Sequence, residues 1–124
     1  MKRLLMTFFL LVSISGSAQI LNDTTYVIPI YNMEVRQVVV VDIVDALGLE
    51  AEDAAAMTYV DNKGVLCMVF QEDELSVNVV FHEIIHAVNY LCITRGIAHD
   101  IENDEPQAYL AGYLGERLFI FLAK

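Results

Sequence analysis

The chain has 124 residues, of which 56% are hydrophobic and 19% charged, a size and composition typical of one small domain with a packed core. Its 17 acidic and 7 basic residues give a formal charge of −10, which argues against a nucleic-acid partner and against an anionic membrane surface. Two cysteines, Cys67 and Cys92, are too few for a disulfide framework. We expect buried free thiols, with a single disulfide as the alternative.

The N-terminal segment, residues 1–18, has the three parts of a secretory signal peptide. Lys2 and Arg3 precede a short apolar run, and small residues follow it. We therefore predict cleavage before Gln19, an exported protein, and a single domain over residues 19–124. The apolar run has about half of the ~20 residues that a membrane-spanning helix needs, so no stable span is expected after cleavage. The alternatives are a retained leader that anchors the protein to a membrane and a first core element of a cytosolic protein.

Four segments rich in β-branched and other apolar residues are predicted to be strands, with a short helix between the second and third. The predicted strands cover residues 25–30, 35–41, 57–60 and 65–70, and the short helix covers residues 42–49. The first two strands are expected to form a hairpin, and Pro29 favours an edge position for the first. A turn sequence beginning at Asp61 joins the last two.

Two longer helices are predicted after the strands. The apolar run over residues 75–93 is too long for a strand; Asp73 or Ser76 could cap its start, and Gly96 ends it. A last helix is expected over residues 105–122. Strands followed by helices indicate an α+β fold, with a small, mainly antiparallel sheet, a long helix and a C-terminal helix.

The long predicted helix contains the sequence His82-Glu83-x-x-His86. Positions four apart lie one turn above each other, so the two imidazoles can bind one metal ion. Glu83 would then flank the metal and could remove a proton from bound water, as a zinc-dependent hydrolase requires. Asn78 and Asn89 extend these residues into a polar stripe on an apolar helix. We expect a metal ion to satisfy this stripe, because buried polar groups without partners are destabilising.

Catalytic zinc sites commonly use three protein ligands and a water molecule, so two histidines would be incomplete. The segment after Gly96 is rich in side chains that bind metals. Its candidates for a third ligand are His99, Asp100, Glu102, Asp104 and Glu105.

The motif and its surroundings resemble the gluzincin metallopeptidases, the thermolysin-like and aminopeptidase-like group. The resemblance covers residues 65–122 and is closest to the very small minigluzincin-like and phage-encoded zincin-like proteins. Gluzincins take their third ligand from a glutamate about twenty residues beyond the second histidine. Glu105 follows His86 by 19 residues in this chain, at the start of a predicted helix.

The resemblance implies a minimal zincin-like fold, with Zn2+ held by His82, His86 and Glu105 and with Glu83 as general base and acid. It also implies a peptide or protein substrate, paired with residues 65–70 as an edge strand. Gluzincins usually place Asp or Ser four residues after the ligand glutamate. That residue orients a metal-binding histidine, and this chain has Tyr109 there. Larger relatives also have a second domain that supplies a group for the oxyanion, for which Tyr109, Tyr113, His99 or a partner chain would have to substitute; we take Tyr109 as the catalytic candidate.

The leading hypothesis is therefore zinc-dependent hydrolysis of peptide bonds, with a zinc-bound water activated by Glu83. The alternative is a catalytically inactive zincin-like domain, stabilised by zinc and used for binding or in phage assembly. A third hypothesis is an exported binding protein without metal, in which His82 and His86 are structural and Glu83 is an exposed carboxylate.

Overall fold

A computed structural model describes residues 13–124 of the chain. One sheet contains four strands: β1 (Ile20–Ile28), β2 (Met33–Val40), β3 (Ala56–Val60) and β4 (Leu66–Gln71). The helices are α1 (Ile43–Leu47), α2 (Val77–Arg95) and α3 (Glu105–Leu122). The predicted α+β class is confirmed, with a long helix that carries the histidine motif.

The strand order is β1-β2-β4-β3, and the sheet is mixed. The two hairpin pairs, β1 with β2 and β3 with β4, are antiparallel, whereas β2 pairs with β4 in parallel. The expectation that residues 65–70 form an edge strand is wrong, because β4 is an inner strand. Five consecutive β4 residues, from Leu66 to Phe70, are buried. Such a continuous apolar run is typical of a strand covered on both faces.

Alternating side chains place two cores on opposite faces of the sheet. The larger core lies under α2 and α3 and includes residues 35 and 39 of β2 and residues 66, 68 and 70 of β4. The smaller core lies under α1 and includes residues 38 and 40 of β2 and residues 67 and 69 of β4. In β3, Thr58 has the same parity as Val60, which belongs to the larger core. Thr58 therefore faces α2.

Local interactions set both ends of α2. The Ser76 hydroxyl accepts a hydrogen bond from the backbone N–H of Val79 at 3.1 Å, so Ser76 is the N-cap. Gly96 has a φ of 68°, a left-handed conformation in which glycine avoids a Cβ clash. Within the described residues, α2 is the one helix long and apolar enough to cross a membrane, a property that buried core helices share.

The helices α2 and α3 pack against each other in antiparallel directions. Gly115 of α3 approaches Ile84 of α2, and the last turn of α3 forms one groove with the first turn of α2. At the other end, the Gln107 side chain donates a hydrogen bond to the carbonyl of Ala98, just beyond α2. The start of α3 therefore lies beside the end of α2.

The predicted signal peptide lies mostly outside the described residues, since residues 1–12 are not described. Its last residues contact the folded domain. The backbone N–H of Ser15 donates to the carbonyl of Ala46 at 2.9 Å, and Ile14 and Ala18 pack against the smaller core. The cleavage site before Gln19 stays a prediction.

Candidate metal centre

His82 and His86 lie one turn apart on α2, and their rings approach each other. The two Nε2 atoms are 3.1 Å apart, and the ring planes are inclined by 76°. Two nitrogen atoms bound tetrahedrally to one zinc ion, each at about 2.0–2.1 Å, would be separated by roughly 3.3 Å. The imidazole pair is therefore already spaced for a shared ion.

Glu83 lies between this pair and the sheet. Its side chain is buried, with 6% exposure, and its Oε1 accepts a hydrogen bond from the Thr58 hydroxyl at 2.8 Å. Its Oε2 is 3.9 Å from His82 Nε2. Ligand atoms of His82, Glu83 and His86 all lie within 4.8 Å of one another, a group that could hold a metal ion. The hypothesis that Glu83 is an exposed carboxylate is wrong.

Burial sets the protonation preferences of the group. It raises the pKa of Glu83, which the Thr58 hydrogen bond and the nearby His82 partly oppose. Burial also lowers the pKa of His86, and proximity to His82 lowers it further. A lowered pKa keeps the His86 imidazole neutral over a wider pH range, and the neutral ring is the form that binds metal.

The polar stripe of α2 is at the surface, contrary to the expectation of a buried stripe. His82 and Asn78 are exposed, and His86 and Asn89 are half-buried. Water can therefore form hydrogen bonds with the exposed polar side chains of the stripe. The stripe alone does not require a metal ion. The buried polar member of the motif is Glu83. Its hydrogen-bond partner, Thr58, was not predicted from the sequence. The signal available was one small polar side chain, Thr58, among the larger apolar and aromatic side chains of the β3 segment.

The structure does not bring Glu105 to the histidines. Successive helix residues are rotated by about 100°, so Ile84 and His82 lie on opposite sides of Glu83. Ile84 contacts α3 at Gly115, and the start of α3, which carries Glu105, lies beside the end of α2. Over residues 13–124, the group that includes the histidines contains Glu83 and neither Glu105 nor the other acidic residues of the preceding loop.

Tyr109, the predicted catalytic residue on α3, lies near Glu105. Its side chain is 78% exposed and lines a cavity together with Glu105, near the turn that follows β1. The structure thus brings His82, Glu83 and His86 together and leaves Glu105 and Tyr109 as a second, separate pair.

Comparisons with protein-family models, with curated proteins and with solved structures each find no match to this chain.

Proposed function

We propose that the protein binds Zn2+ through His82 and His86 and hydrolyses peptide bonds with Glu83 as the base. The observation that carries this proposal is the position of the Glu83 carboxylate. It is buried, held by Thr58 on one oxygen, and directed toward the imidazole pair with the other. Structural roles rarely place a carboxylate in such a setting, because burying a charge without a counter-ion is costly.

The donor set fits zinc. Imidazole nitrogen is a preferred zinc ligand, and the 3.1 Å spacing of the two Nε2 atoms suits tetrahedral coordination. When bound, zinc supplies a Lewis acid that lowers the pKa of water and polarises a carbonyl group. His82 is more exposed than His86, so the site opens toward solvent on the His82 side.

Glu83 would move the proton in this reaction. Thr58 fixes Oε1, which leaves Oε2 to take a proton from the attacking water and to deliver it to the leaving amine nitrogen. Because burial raises the pKa of Glu83, the carboxylate is a stronger base than an exposed glutamate. Proton transfer is most effective when the pKa of the base approaches the working pH.

The neighbouring surface supports a peptide substrate. β3 is an edge strand in the described sheet, and it carries Thr58, so an extended peptide added to β3 would run beside Glu83. Exposed apolar side chains, Phe81 and Ile85, flank His82 on α2. Such side chains suit contacts with the apolar residues of a substrate.

One observation favours a second function, that of a metal-stabilised binding domain without turnover. Glu105 and Tyr109, which the gluzincin resemblance assigns to zinc and to catalysis, line a separate cavity, and Glu105 is not in the histidine group. The described residues therefore provide two imidazoles and one carboxylate at the site. If Glu83 itself bound zinc, it would be unable to act as a base.

The test compares zinc content and peptide cleavage for the full chain and its variants. We expect one zinc per wild-type chain by elemental analysis, and cleavage within a broad peptide library. His82→Ala and His86→Ala should lose both zinc and cleavage, whereas Glu83→Gln should keep zinc and lose cleavage. Glu116→Gln is the matched control, since Glu116 is exposed and lies outside the group.

Each remaining outcome has a distinct meaning. Zinc in the wild-type protein without any cleavage would favour the binding domain, particularly if Glu83→Gln also weakened zinc binding. If Glu83→Gln cleaved peptides at the wild-type rate, Glu83 would not be the base. A folded wild-type protein that takes up no zinc would overturn both functions.

A further inference from the structure

A cavity of about 610 Å³ lies between the turn that follows β1 and the first turns of α3. Ile28 and Leu110, both buried, contribute to its wall, and so do the three tyrosines Tyr31, Tyr109 and Tyr113. Small-molecule sites in proteins are typically about 300–1,000 Å³, largely apolar, with few polar groups. The cavity has this size and character, and it lies away from the histidine group.

Hydrogen bonds from Arg95 stabilise the turn after β1, which forms one wall of the cavity. The Arg95 guanidinium, at the end of α2, donates hydrogen bonds to the carbonyl oxygens of Tyr31 at 2.7 Å and Asn32 at 3.0 Å. Pro29 and Pro106, which also line the cavity, restrict the backbone on both sides. The cavity is therefore formed before any ligand arrives, which lowers the entropic cost of binding.

The charge of the lining selects for a cation. Glu105 is the one carboxylate among the lining residues, and no lining residue is basic. The loop before α3 adds the exposed acids Asp100, Glu102 and Asp104, in a chain whose formal charge is −10. Two cations are also near: Arg95, which binds the Tyr31 and Asn32 carbonyls, and Arg117, beside Tyr113. The four carboxylates outnumber these two positive charges. The potential at the mouth of the cavity is therefore negative.

The tyrosine rings offer a second way to bind positive charge, because cations are attracted to aromatic faces. The chain uses such a contact nearby, where the Arg117 guanidinium lies 4.3 Å from the centroid of the Tyr26 ring and 6.0 Å from that of Tyr113. Arg117 thus occupies the neighbourhood of Tyr113. Tyr31 and Tyr109 are left to contact a ligand.

We propose that this cavity binds an organic cation with an apolar body, such as an ammonium group on an aromatic or alkyl chain. Glu105 pairs with the ammonium group, Tyr31 and Tyr109 cover it, and Leu110 contacts the apolar body. The site goes beyond the proposed hydrolase and does not depend on it, since it shares no residue with the histidine group.

The test titrates the full chain with three probes of similar shape and different charge: 3-phenylpropylammonium, 3-phenylpropanol and 3-phenylpropionate. Binding is followed by amide chemical shifts in NMR spectra and by calorimetry. We expect the cation to bind most tightly and to shift the amide signals of the non-proline residues within 28–31 and 105–113. Glu105→Gln should weaken the cation about three- to fivefold, the range of a partly exposed ion pair, and leave the alcohol unchanged.

Tyr109→Ala should weaken the cation by a similar factor through loss of the aromatic contact. Glu116→Gln is the matched control, an exposed glutamate on the same helix outside the cavity, and should have no effect. Equal affinity for the cation and the alcohol, or an unchanged cation affinity in Glu105→Gln, would overturn the proposal. The absence of any amide shift at about 1 mM of the cationic probe would overturn it as well.

Discussion

Thr58 is the residue on which the geometry of the Glu83 carboxylate depends. Its hydroxyl donates to Glu83 Oε1 at 2.8 Å, and both side chains are buried. Thr58→Val keeps the shape and removes the donor, so a buried carboxylate loses its partner. We expect the free energy of unfolding to fall by about 1–3 kcal/mol at neutral pH, measured by urea denaturation.

Thr58→Ser, which keeps the hydroxyl, should recover most of that stability and any peptide cleavage. Thr25→Val serves as a control, because Thr25 is an exposed strand residue. If Thr58→Val were as stable as the wild-type protein and its cleavage had an unchanged pH profile, Thr58 would have no role in positioning Glu83.

The protonation of Glu83 predicts a pH dependence of stability in the metal-free protein. Its pKa in the folded state is raised above the ordinary value of 4.5, chiefly by burial. The folded state therefore binds the proton more tightly than the unfolded state. The resulting stabilisation is fully present below the unfolded pKa and is lost as pH rises through the folded pKa.

Glu83→Gln removes this titration and keeps an oxygen that can accept from Thr58. In the presence of a chelator, we expect the variant to be more stable than the wild-type protein at pH 7 and to approach it near pH 4. Thermal unfolding across this pH range measures both curves. A constant difference between the two proteins at all pH values would contradict the raised pKa.

Among the secondary-structure elements, α2 determines the geometry of the candidate metal centre, because it carries His82, Glu83 and His86. Its first turn depends on Ser76, whose hydroxyl accepts from the N–H of Val79 at 3.1 Å. Ser76→Ala should lower the free energy of unfolding by about 1 kcal/mol, the usual effect of losing such a cap. Urea denaturation of the two proteins gives the difference.

Ser76→Asp provides the control, since aspartate also caps and places a negative charge at the positive end of the helix dipole. It should match or exceed the wild-type stability. An alanine variant with unchanged stability would mean that α2 is fixed by its packing alone.

Helix ends and hairpins could be predicted from the sequence because their signals are local. Ser76 caps α2, Gly96 ends it, and Asp61 accepts backbone hydrogen bonds in the turn between β3 and β4, all within a few residues. The parallel pairing of β2 with β4 has no local signal, since 25 residues separate the two strands. The continuous apolar run over residues 66–70 was the indication available in the sequence that β4 is an inner strand, covered on both faces.

At the scale of the whole molecule, the histidine motif could be predicted, and its surroundings could not. His82, Glu83 and His86 share one helix, so their spacing alone determines that they meet. A ligand on another helix depends on how the two helices pack. Because α3 runs antiparallel to α2, its start, which carries Glu105, lies beside the end of α2, and Glu105 is not in the histidine group.

The two cores also keep the cysteines apart. Cys67 belongs to the core under α1 and Cys92 to the core under α2 and α3, and both are free thiols. The alternative of a disulfide between them is therefore wrong for this fold. Burial raises the pKa of Cys67 to about 12, with the Asp61 carboxylate adding to the shift, and burial also raises the pKa of Cys92.

A raised pKa and a buried sulfur both suppress thiolate attack. We expect neither cysteine of the native protein to react with Ellman's reagent within minutes at pH 8, and both to react at once in denaturant. Cys67→Ala and Cys92→Ala each leave one thiol, so the reaction of each native variant is assigned to the cysteine that remains. Each thiol lies in a different core, and Thr58 faces the larger core, which contains Cys92. We therefore expect Thr58→Val to leave Cys67, in the smaller core, unreactive. Rapid release of both thiols by that variant would show instead that the two cores unfold as one unit.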